Sequence, residues 1–418
     1  MVLLTEGKYI MAIASNNTFV TNKLCTLVAI RAAEAAGYLT VGSKKYFANQ
    51  IAGKNNGQDY DFYIRDTGDA VNRLAYQDGD KIALSERKVT LSLDPWHVLI
   101  NTNAIEKYTD IEDWEDEIAK PNGQKLIQGV VRKAIENDLG KIGTAFIGSG
   151  FTPLSQAAGH LASVVSEDLY GFVDPNVEAI LTSNGQQFVP VDAPDMYSKG
   201  LLGRFHGAEY RSQRWMPTLN ISTGVSNALN AASVTAAAVD SSDSKLFNLS
   251  ISGASVSGIT IPKATPIFVE GVMACDTVGD PTTAEQAFIV LEAVTATANT
   301  VVVKVRAKDI TKGGTREIAK ENGDSFAAVS AITGRVSVPE AGKYYTGIVR
   351  ADGSFEFETL DKLDAAGAEY EKSPNVEGLT VHQNRLVDLR DMTDDTRWDI
   401  VTLCGCVEPR AVSMFYVK

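Results

Sequence analysis

The triplet Asp66-Thr67-Gly68 is the first place in the chain where residue types suggest chemistry, because aspartic proteases carry an Asp-Thr-Gly sequence at their catalytic carboxylates. That reaction needs a second carboxylate, placed so that the two groups share one proton. The triplet is followed by Asp69 and lies in a stretch dense in Gly, Asn and Asp, which are common turn residues. We therefore interpret it as a turn.

The sequence GSGFTP at residues 148–153 is a glycine-rich candidate for a dinucleotide-binding loop. Such a loop follows a strand and opens a helix, whereas we predict that this sequence follows a helix. The chain also lacks a GxxxxGK[ST] phosphate loop and a G-x-S-x-G nucleophile elbow. None of these patterns predicts an enzyme.

The four histidines, His97, His160, His206 and His382, are far apart in the sequence, and no pair has the spacing of metal ligands. A catalytic triad assembled from distant residues stays open, because triads form in space rather than in sequence. We interpret each histidine as a surface residue or a hydrogen-bonded packing residue.

Residues 110–117 hold six carboxylates, which could bind a cation. The stretch lacks the glycine-centred loop of a calcium site. Carboxylates just before a helix complement the positive end of its dipole. We therefore interpret this acidic segment as a solvated approach to the helix that follows it.

The cysteines lie at positions 25, 275, 404 and 406. Cys404 and Cys406 flank a single residue, which is too close for a zinc knuckle. On a strand they would point to the same face as small apolar side chains. We predict core cysteines without a metal or redox role, and the absence of a disulfide spacing fits a reducing cytoplasm.

The totals describe a folded, acidic protein. The 418 residues predict two to four domains, and 44% hydrophobic with 22% charged residues is typical of a globular chain. A net charge of −13 excludes a general attraction for nucleic acid, which needs clustered Lys and Arg. The apolar run at the start is interrupted by Glu6 and Lys8, and no stretch is long enough to span a membrane. We expect a soluble cytoplasmic protein.

The spacing of apolar residues along the chain predicts helices in some regions and extended structure in others. Apolar residues at spacings of three and four predict a long helix over 124–147, with further helices over 24–38 and 154–170. Residues 41–69 are rich in the turn residues Gly, Asn and Asp, and alternation within 80–93 indicates an exposed hairpin.

Residues 221–343 contain no Trp, Tyr or His, and their short β-type runs indicate a small β barrel or sandwich. It interrupts a host domain that resumes near Tyr344. The chain then ends in two apolar strands about Glu408-Pro409-Arg410.

Three stretches resemble the major capsid protein of tailed bacteriophages, the Hong Kong 97-type fold, and within it the podoviral coat family that carries an inserted β-barrel domain. They are LLGRFHGAEYRSQRWMPTLNISTG at 201–224, EGLTVHQNRLVDL at 377–389 and RWDIVTLCGCVEPRAVSMFYV at 397–417. In the last of these the family's Pro-Glu is inverted to Glu408-Pro409. The resemblance covers nearly the whole chain in the order of its parts but only about 60 residues by motif.

The resemblance implies an α+β fold with a long spine helix, an extended β loop, an axial domain and an inserted small all-β domain. The implied divisions are an N-terminal arm and helix at 1–42, the extended β loop at 43–104, a peripheral domain with the spine helix at 105–148, the first part of the axial domain at 149–220, the inserted β-barrel domain at 221–344, and the return to the axial and peripheral domains at 345–418.

The resemblance also implies a structural role without catalytic residues, cofactor or metal. Copies would assemble as hexamers and pentamers of an icosahedral virion capsid in the cytoplasm of a bacterial host. A scaffolding protein and a portal would be partners, and decoration proteins could join them. The shell would enclose double-stranded DNA without sequence-specific binding. Some relatives crosslink neighbouring chains through Lys and Asn; Lys81 and Lys88 are candidates by position only, and crosslinking is not expected for the insertion-bearing family.

Three alternatives remain. An encapsulin-like shell has the same fold around a cargo enzyme, but the insertion disfavours it. A β-rich surface adhesin, tail-fibre component or other phage structural protein is suggested by the Ser/Thr/Ala-rich stretch at 222–260. A hydrolase with a dispersed triad is the third.

Overall fold

The fold is taken from a computed structural model. It describes residues 17–44, 59–65, 86–103, 115–183, 201–241, 246–275, 281–306, 310–312, 315–317, 332–360, 369–388 and 393–418. Within these ranges the chain is a mixture of a few helices and many strands, which agrees with the predicted α+β class.

Helices contribute a small part of the described residues. They are α1 (Asn17–Ala35), α2 (Gly37–Thr40), α3 (Lys120–Lys141), α4 (Thr152–Val164), α5 (Pro175–Ser183) and α6 (Thr223–Asn230). A π-helical turn, Glu115–Ala119, leads directly into α3, and a 3₁₀ turn covers Pro409–Ala411.

Strands make up most of the regular structure. The first twelve are β1 (Ser43–Lys44), β2 (Asp59–Arg65), β3 (Glu86–Asn103), β4 (Thr144–Gly148), β5 (Leu169–Val173), β6 (Leu201–Phe205), β7 (Ala208–Ser212), β8 (Thr218–Ile221), β9 (Ser233–Val239), β10 (Leu246–Ser252), β11 (Thr260–Ile261) and β12 (Pro266–Cys275). The others are β13 (Pro281–Ile289), β14 (Val294–Thr295), β15 (Thr300–Arg306), β16 (Ile310–Lys312), β17 (Thr315–Glu317), β18 (Gly334–Ser337), β19 (Gly342–Ala351), β20 (Phe355–Thr359), β21 (Glu369–Lys372), β22 (His382–Asp388), β23 (Thr393–Cys406) and β24 (Val412–Val417).

The long predicted helix exists, but its predicted end was wrong. Helix α3 begins at Lys120 and ends at Lys141, whereas 124–147 had been expected. Its buried face follows the predicted spacing, with Ile127, Val131 and Ile135 each at most 1% exposed. Residues 144–148 form β4 instead, because they pair in parallel with the C-terminal strand β24, a partner that helical periodicity does not reveal.

The other two helix predictions also needed new ends. The helix expected over 24–38 runs from Asn17 to Ala35, and α2 follows it from Gly37. The helix expected over 154–170 is α4, which ends at Val164, and Leu169 already belongs to strand β5. Helix α6 was not predicted; the Ser222 side chain caps it by accepting a hydrogen bond from the Val225 amide at 3.4 Å.

The first sheet has the order β1–β20–β23–β22–β21, and β3 pairs with β23 as well. Strand β3 is long because it serves two partners: residues 93–103 pair with β23, and residues 86–92 pair with β2. The Trp96, Val98 and Ile100 side chains of β3 pack on the main core, which also contains the buried face of α3. The sheet therefore holds helix α3 from one side.

The second sheet has the order β15–β10–β9–β18–β12–β16–β17, with β13 also paired to β12. In the part of the chain that the structure describes, its strands, all between residues 233 and 337, pair only with one another. The chain enters this region through β8 and leaves it into β19, and these two strands pair at Ile221 and Gly342. The predicted domain limits at 221 and 344 remain predictions.

The third sheet has the order β4–β24–β19–β5–β7–β6, and β8 pairs with the beginning of β19. Helix α4 covers it with Leu154, Ala157 and Leu161, all buried, to form a second core with Phe415. The two C-terminal apolar strands predicted about Glu408-Pro409-Arg410 are present as β23 and β24. They belong to different sheets, so the turn between them connects the two sheets.

The close contact between α1 and α3 requires a glycine. A Cβ atom added at Gly123 would lie 2.6 Å from the Val28 carbonyl oxygen and 3.0 Å from the Ala32 nitrogen. We expect Gly123→Ala to destabilise the fold by about 1–3 kcal/mol through overpacking, despite the better helix propensity of alanine. Urea unfolding of the full chain measures this change.

Gly159 is the matched control in α4, since nothing lies within 4 Å of a Cβ added there. Gly159→Ala should therefore stabilise the fold by up to about 1 kcal/mol. A shift of the same sign for both variants would show that α1 and α3 do not pack as closely as described.

Candidate functional site

The structure brings two of the predicted histidines into one cross-strand row. His97 on β3 is opposite Asp399 on β23, and Asp399 is opposite His382 on β22. Directly opposed residues of an antiparallel sheet share a face. His160 on α4 and His206 in the β6–β7 turn lie elsewhere, in the third sheet region. Sequence spacing could not reveal this row, because the register in which β3 and β22 pair with β23 determines which residues are opposite each other.

Asp399 and His382, the buried members of this row, have hydrogen-bond partners, whereas His97 is exposed. The Arg397 guanidinium donates to Asp399 Oδ1 at 2.6 and 2.7 Å, and the Asn384 amide donates to Asp399 Oδ2 at 3.0 Å. His382 is fully buried, with Nε2 2.9 Å from the Leu360 carbonyl oxygen. A carbonyl only accepts, so Nε2 carries the proton in that hydrogen bond.

The other ring nitrogen of His382, Nδ1, lies 2.7 Å from the Tyr370 hydroxyl. A neutral imidazole with Nε2 protonated accepts from this hydroxyl, so both nitrogens are satisfied. Among the described residues no group of three or more His, Cys, Asp or Glu side chains could hold a metal ion. Asp399 and His382 therefore serve as buried, hydrogen-bonded packing residues in this structure.

The structure describes only one of the two short sequences that resemble catalytic or cofactor-binding motifs. Residues 66–68 lie outside the described residues. The glycine-rich sequence at 148–153 follows strand β4 and opens helix α4, so our prediction that it follows a helix was wrong. The error has the same cause as the misplaced end of α3. A dinucleotide loop has a third glycine where Pro153 stands, so the corrected context does not create such a site.

The acidic segment is described only from Glu115 onward, where it forms the π-helical turn before α3. Asp116 pairs with Lys120 at 3.3 Å on the surface. Of the two lysines considered for crosslinking, Lys81 lies outside the described residues, and Lys88 is placed only as a backbone position opposite Tyr63.

Three cysteines are placed by the structure. Cys25 and Cys406 are buried at 1% exposure each, and Cys404 is half-buried. Burial raises the pKa of the Cys25 thiol and of the Cys404 thiol to about 12. These thiols therefore stay protonated at neutral pH, a state in which thiols neither attack nor ligate well.

A buried polar node joins α2, α3 and the first sheet. The carboxylate of Asp138 on α3 accepts a hydrogen bond from the Tyr38 hydroxyl at 2.7 Å and another from the Cys406 amide at 2.9 Å. The Lys141 ammonium donates to the Cys406 carbonyl at 3.0 Å. Sequence analysis did not find this node, because its members lie far apart in the chain: Asp138 is 100 residues from Tyr38 and 268 residues from Cys406.

Arg350 on β19 is a second cation near this node, and it is 1% exposed. Its guanidinium carbon lies 4.3, 4.7 and 5.0 Å from the ring centroids of Phe355, Phe172 and Tyr38. Nη2 donates to the backbone carbonyls of Tyr38 and Val41, at 2.6 and 2.5 Å. Arg350 thus holds the end of α2 between the first and third sheets, and we assign it a structural role.

Burial raises the pKa of Asp138 above the ordinary carboxyl value, although Lys141, the Tyr38 hydroxyl and Arg350 act to lower it. The stability linked to this raised pKa is fully present below about pH 4, the pKa of an unfolded Asp, and is lost as pH rises through the folded value. We expect Asp138→Asn to remove this loss, so that the variant gains stability relative to the wild type as pH rises from 4 to 8.

Urea unfolding of both proteins at intervals across that range measures the difference. Asp116→Asn, at an exposed position, is the control and should leave the pH slope unchanged. A constant stability difference between Asp138→Asn and the wild type at every pH would contradict the assignment.

A two-stranded ribbon, made of β2 and the 86–92 part of β3, is the most distinctive interaction element. At Leu93 the strand stops pairing with β23 and takes β2 as its partner, from Ser92–Asp59 to Glu86–Arg65. In the described residues β2 pairs with no second strand. Val89 and Leu91 attach the base of the ribbon to Leu403 and Val407.

The sequence matches no protein-family model and no curated protein. Solved structures similar to this chain include one from Mycobacterium phage Che8, with 11% identity, a TM-score of 0.41, and 90% of this chain and 89% of that chain covered. The capsid structure of Cyanophage P-SCSP1u has 8% identity and a TM-score of 0.40, with 87% and 84% covered.

A virus-like particle from Pyrococcus furiosus has 8% identity and a TM-score of 0.39, with 94% of this chain and 97% of that chain covered. At these identities and TM-scores the similarities do not assign a function to the chain. Separately, no described helix has the length and apolar character needed to cross a bilayer.

Proposed function

We propose that this chain is the major coat subunit of a tailed phage, which assembles into an icosahedral shell around double-stranded DNA. The proposal rests first on the sequence resemblance at 201–224, 377–389 and 397–417. Its partners would be further copies in hexamers and pentamers, a scaffolding protein, a portal and, on the outside, decoration proteins.

The β2–β3 ribbon is the observation that carries the proposal. A two-stranded ribbon is at best marginally stable in water on its own, and an unpaired strand edge is a template for association. The base of the ribbon is fixed by buried Val89 and Leu91, while the β2 edge has no further strand in the described part. A neighbouring subunit would cover that edge in a shell.

The charge of the chain supports a container for DNA. A net charge of −13 gives walls that bind the phosphate backbone weakly, so packaged DNA would not adhere to them. The described part has no group of metal-binding residues, and its buried Asp399 and His382 side chains are held by hydrogen bonds. Both observations suit a structural role.

Electron microscopy and sedimentation of the full chain, alone and with its candidate scaffolding protein, test the proposal. We expect closed shells of uniform size. A monomer or small oligomer under every condition would overturn it. The contents of shells recovered from cells distinguish a phage capsid from an encapsulin-like compartment. Nuclease-protected DNA inside the shells supports the coat protein, and an enclosed enzyme would identify an encapsulin-like compartment.

A further inference from the structure

The outer face of the first sheet carries two exposed leucines. Strands β3, β23 and β22 turn one face to the main core, which contacts Trp96, Val98 and Trp398, so the alternate residues face away from it. On that outer face Leu99 is 60% exposed and Leu386 is 56% exposed. Of the described residues, three large apolar side chains are exposed, and two of them lie here. A partner that covered this face would remove both leucines from water.

Two neighbouring cross-strand rows contain these leucines. Read from β3 through β23 to β22, the register gives the rows Leu99–Arg397–Asn384 and Asn101–Asp395–Leu386. Neighbouring strands lie about 4.8 Å apart, and successive residues on one face lie about 6.8 Å apart. The two leucines are therefore about 12 Å apart on opposite sides of β23, with the two charged residues between them. We call these six residues the leucine patch.

The leucine patch has approximate two-fold symmetry. A half turn about the normal to the sheet, centred on β23 between Asp395 and Arg397, exchanges the positions of the two leucines and those of the two asparagines. The same half turn exchanges Asp395 with Arg397, which reverses the sign of the charge. Such a surface is complementary to a second copy of itself, because apolar groups and opposite charges can meet across a two-fold axis.

The charged side chains of the leucine patch keep atoms available for a partner. Arg397 uses Nε and Nη2 to contact Asp399 Oδ1, at 2.7 and 2.6 Å. Asp395 accepts from the Asn101 amide through Oδ1 at 2.5 Å. In the part of the chain that the structure describes, neither Arg397 Nη1 nor Asp395 Oδ2 has a partner. These two atoms can therefore pair between copies while the contacts within each copy stay in place.

Face-to-face packing with the two-fold axis along the line through the two leucines pairs all of these side chains. Points on the axis are mapped onto themselves, so Leu99 faces Leu99 of the second copy and Leu386 faces its own counterpart. Asp395 and Arg397 lie on opposite sides of that line, so each Asp395 meets the Arg397 of the other copy. The line makes about 55° with the strands, so the strands of the two sheets cross at about 70°, which is closer to orthogonal than to aligned packing.

We infer that the leucine patch binds the same patch of a second copy of this chain in an isologous contact. Six side chains cover less than the roughly 800 Å² per partner of a standard interface, so we expect weak association of dispersed subunits. In a shell the contact would join two capsomers across a two-fold axis, where many copies strengthen one another. The inference deepens the proposed shell function and rests on it for this location, whereas the contact itself is measured on subunits.

Sedimentation equilibrium of dispersed subunits measures the contact. We expect a reversible monomer–dimer equilibrium, and Leu99→Asp or Leu386→Asp should raise its dissociation constant at least about tenfold, as for central residues of an interface. Val302→Asp is the matched control, because Val302 is 50% exposed on β15 in the second sheet. This control should change the constant less than about twofold. Circular dichroism must show that each variant is folded.

Crosslinking tests the position of the two-fold axis. The Cα atoms of facing residues in packed sheets lie about 10 Å apart, beyond the roughly 7 Å limit of a disulfide, so a short bismaleimide is the probe. Leu99→Cys and Leu386→Cys, each in its own chain, should give covalent dimers linked between identical positions. Val302→Cys should not, and the wild type, with its own four cysteines, gives the background. Peptide mass mapping identifies the linked positions.

Three results would each overturn the inference. The first is a monomer at every concentration, and the second is an equal effect of Val302→Asp and the leucine variants on the dissociation constant. The third is crosslinking that appears only when the two single-cysteine chains are mixed, which would indicate a heterologous contact. If one aspartate variant fails to fold, the other aspartate variant and the two cysteine variants still decide.

The two proposals fail separately. Shells that form while the cysteine variants give no dimers leave the coat function intact and remove this contact. Crosslinked dimers at both leucine positions, but no shells under any condition, keep the contact and remove the coat function.

Discussion

Arg350→Ala will destabilise the folded chain by about 2–5 kcal/mol, because it removes a buried side chain that donates two hydrogen bonds and packs against three aromatic rings. The Asp138 carboxylate would lose a nearby cation that acts on its pKa. The carbonyls of Tyr38 and Val41 would lose their donor. A cavity would also open between the rings of Phe172 and Phe355. Urea unfolding measures the loss.

A double-mutant cycle separates these contributions. Arg350→Met keeps most of the side-chain volume, and Arg350→Met combined with Asp138→Asn removes both charges. Because an uncompensated buried charge is the costly state, we expect the combined variant to be more stable than the sum of its parents by about 1–3 kcal/mol. Arg204→Ala, at an exposed position, should change stability by less than about 0.5 kcal/mol. Additive single effects would mean that Arg350 and Asp138 do not act as a pair.

Removing the segment that closes the ribbon should abolish shell assembly and leave the subunit folded. Arg65 is paired directly with Glu86, so an Asn-Gly turn can replace residues 66–85 without disturbing the register. We expect an unchanged far-ultraviolet spectrum, a melting temperature within a few degrees of the wild type, and no closed particles by electron microscopy.

A chain with residues 66–85 scrambled at constant length is the matched control, because it separates the sequence of the segment from its length. If assembly needs only the length of the segment and not its sequence, the scrambled chain still forms shells while the shortened chain does not. Normal shells from the shortened chain would remove the ribbon from the assembly contact.

Local periodicity located the elements better than it located their ends. The face of α3 could be predicted because burial repeats at helical spacing through Leu126, Val130 and Ala134. Its end could not, since Ala145 and Phe146 fit helical spacing equally well and become a strand only by pairing with Met414 and Phe415. The same applies to 169–173, whose partners lie in β19 and β7.

Polar contacts between distant parts of the chain were beyond sequence reasoning. Asp138 looked like one more charge on an amphipathic helix, and Arg350 like an ordinary basic residue near a strand. Their burial depends on how α2, β19 and β20 meet, and that arrangement follows from tertiary packing.

The place of β24 in the third sheet affects how the protein is made. Strand β4 pairs with a strand that the ribosome adds roughly 260 residues later, and β19 also waits for it. At 5–20 residues per second this interval is roughly 13–53 s. During that time β4 lacks its strand partner, and over the last roughly 60 residues before β24 the newly made β19 lacks the same partner. Open strand edges next to apolar side chains are prone to aggregation. Efficient production should therefore depend on chaperones that hold the chain until its final strand is inserted.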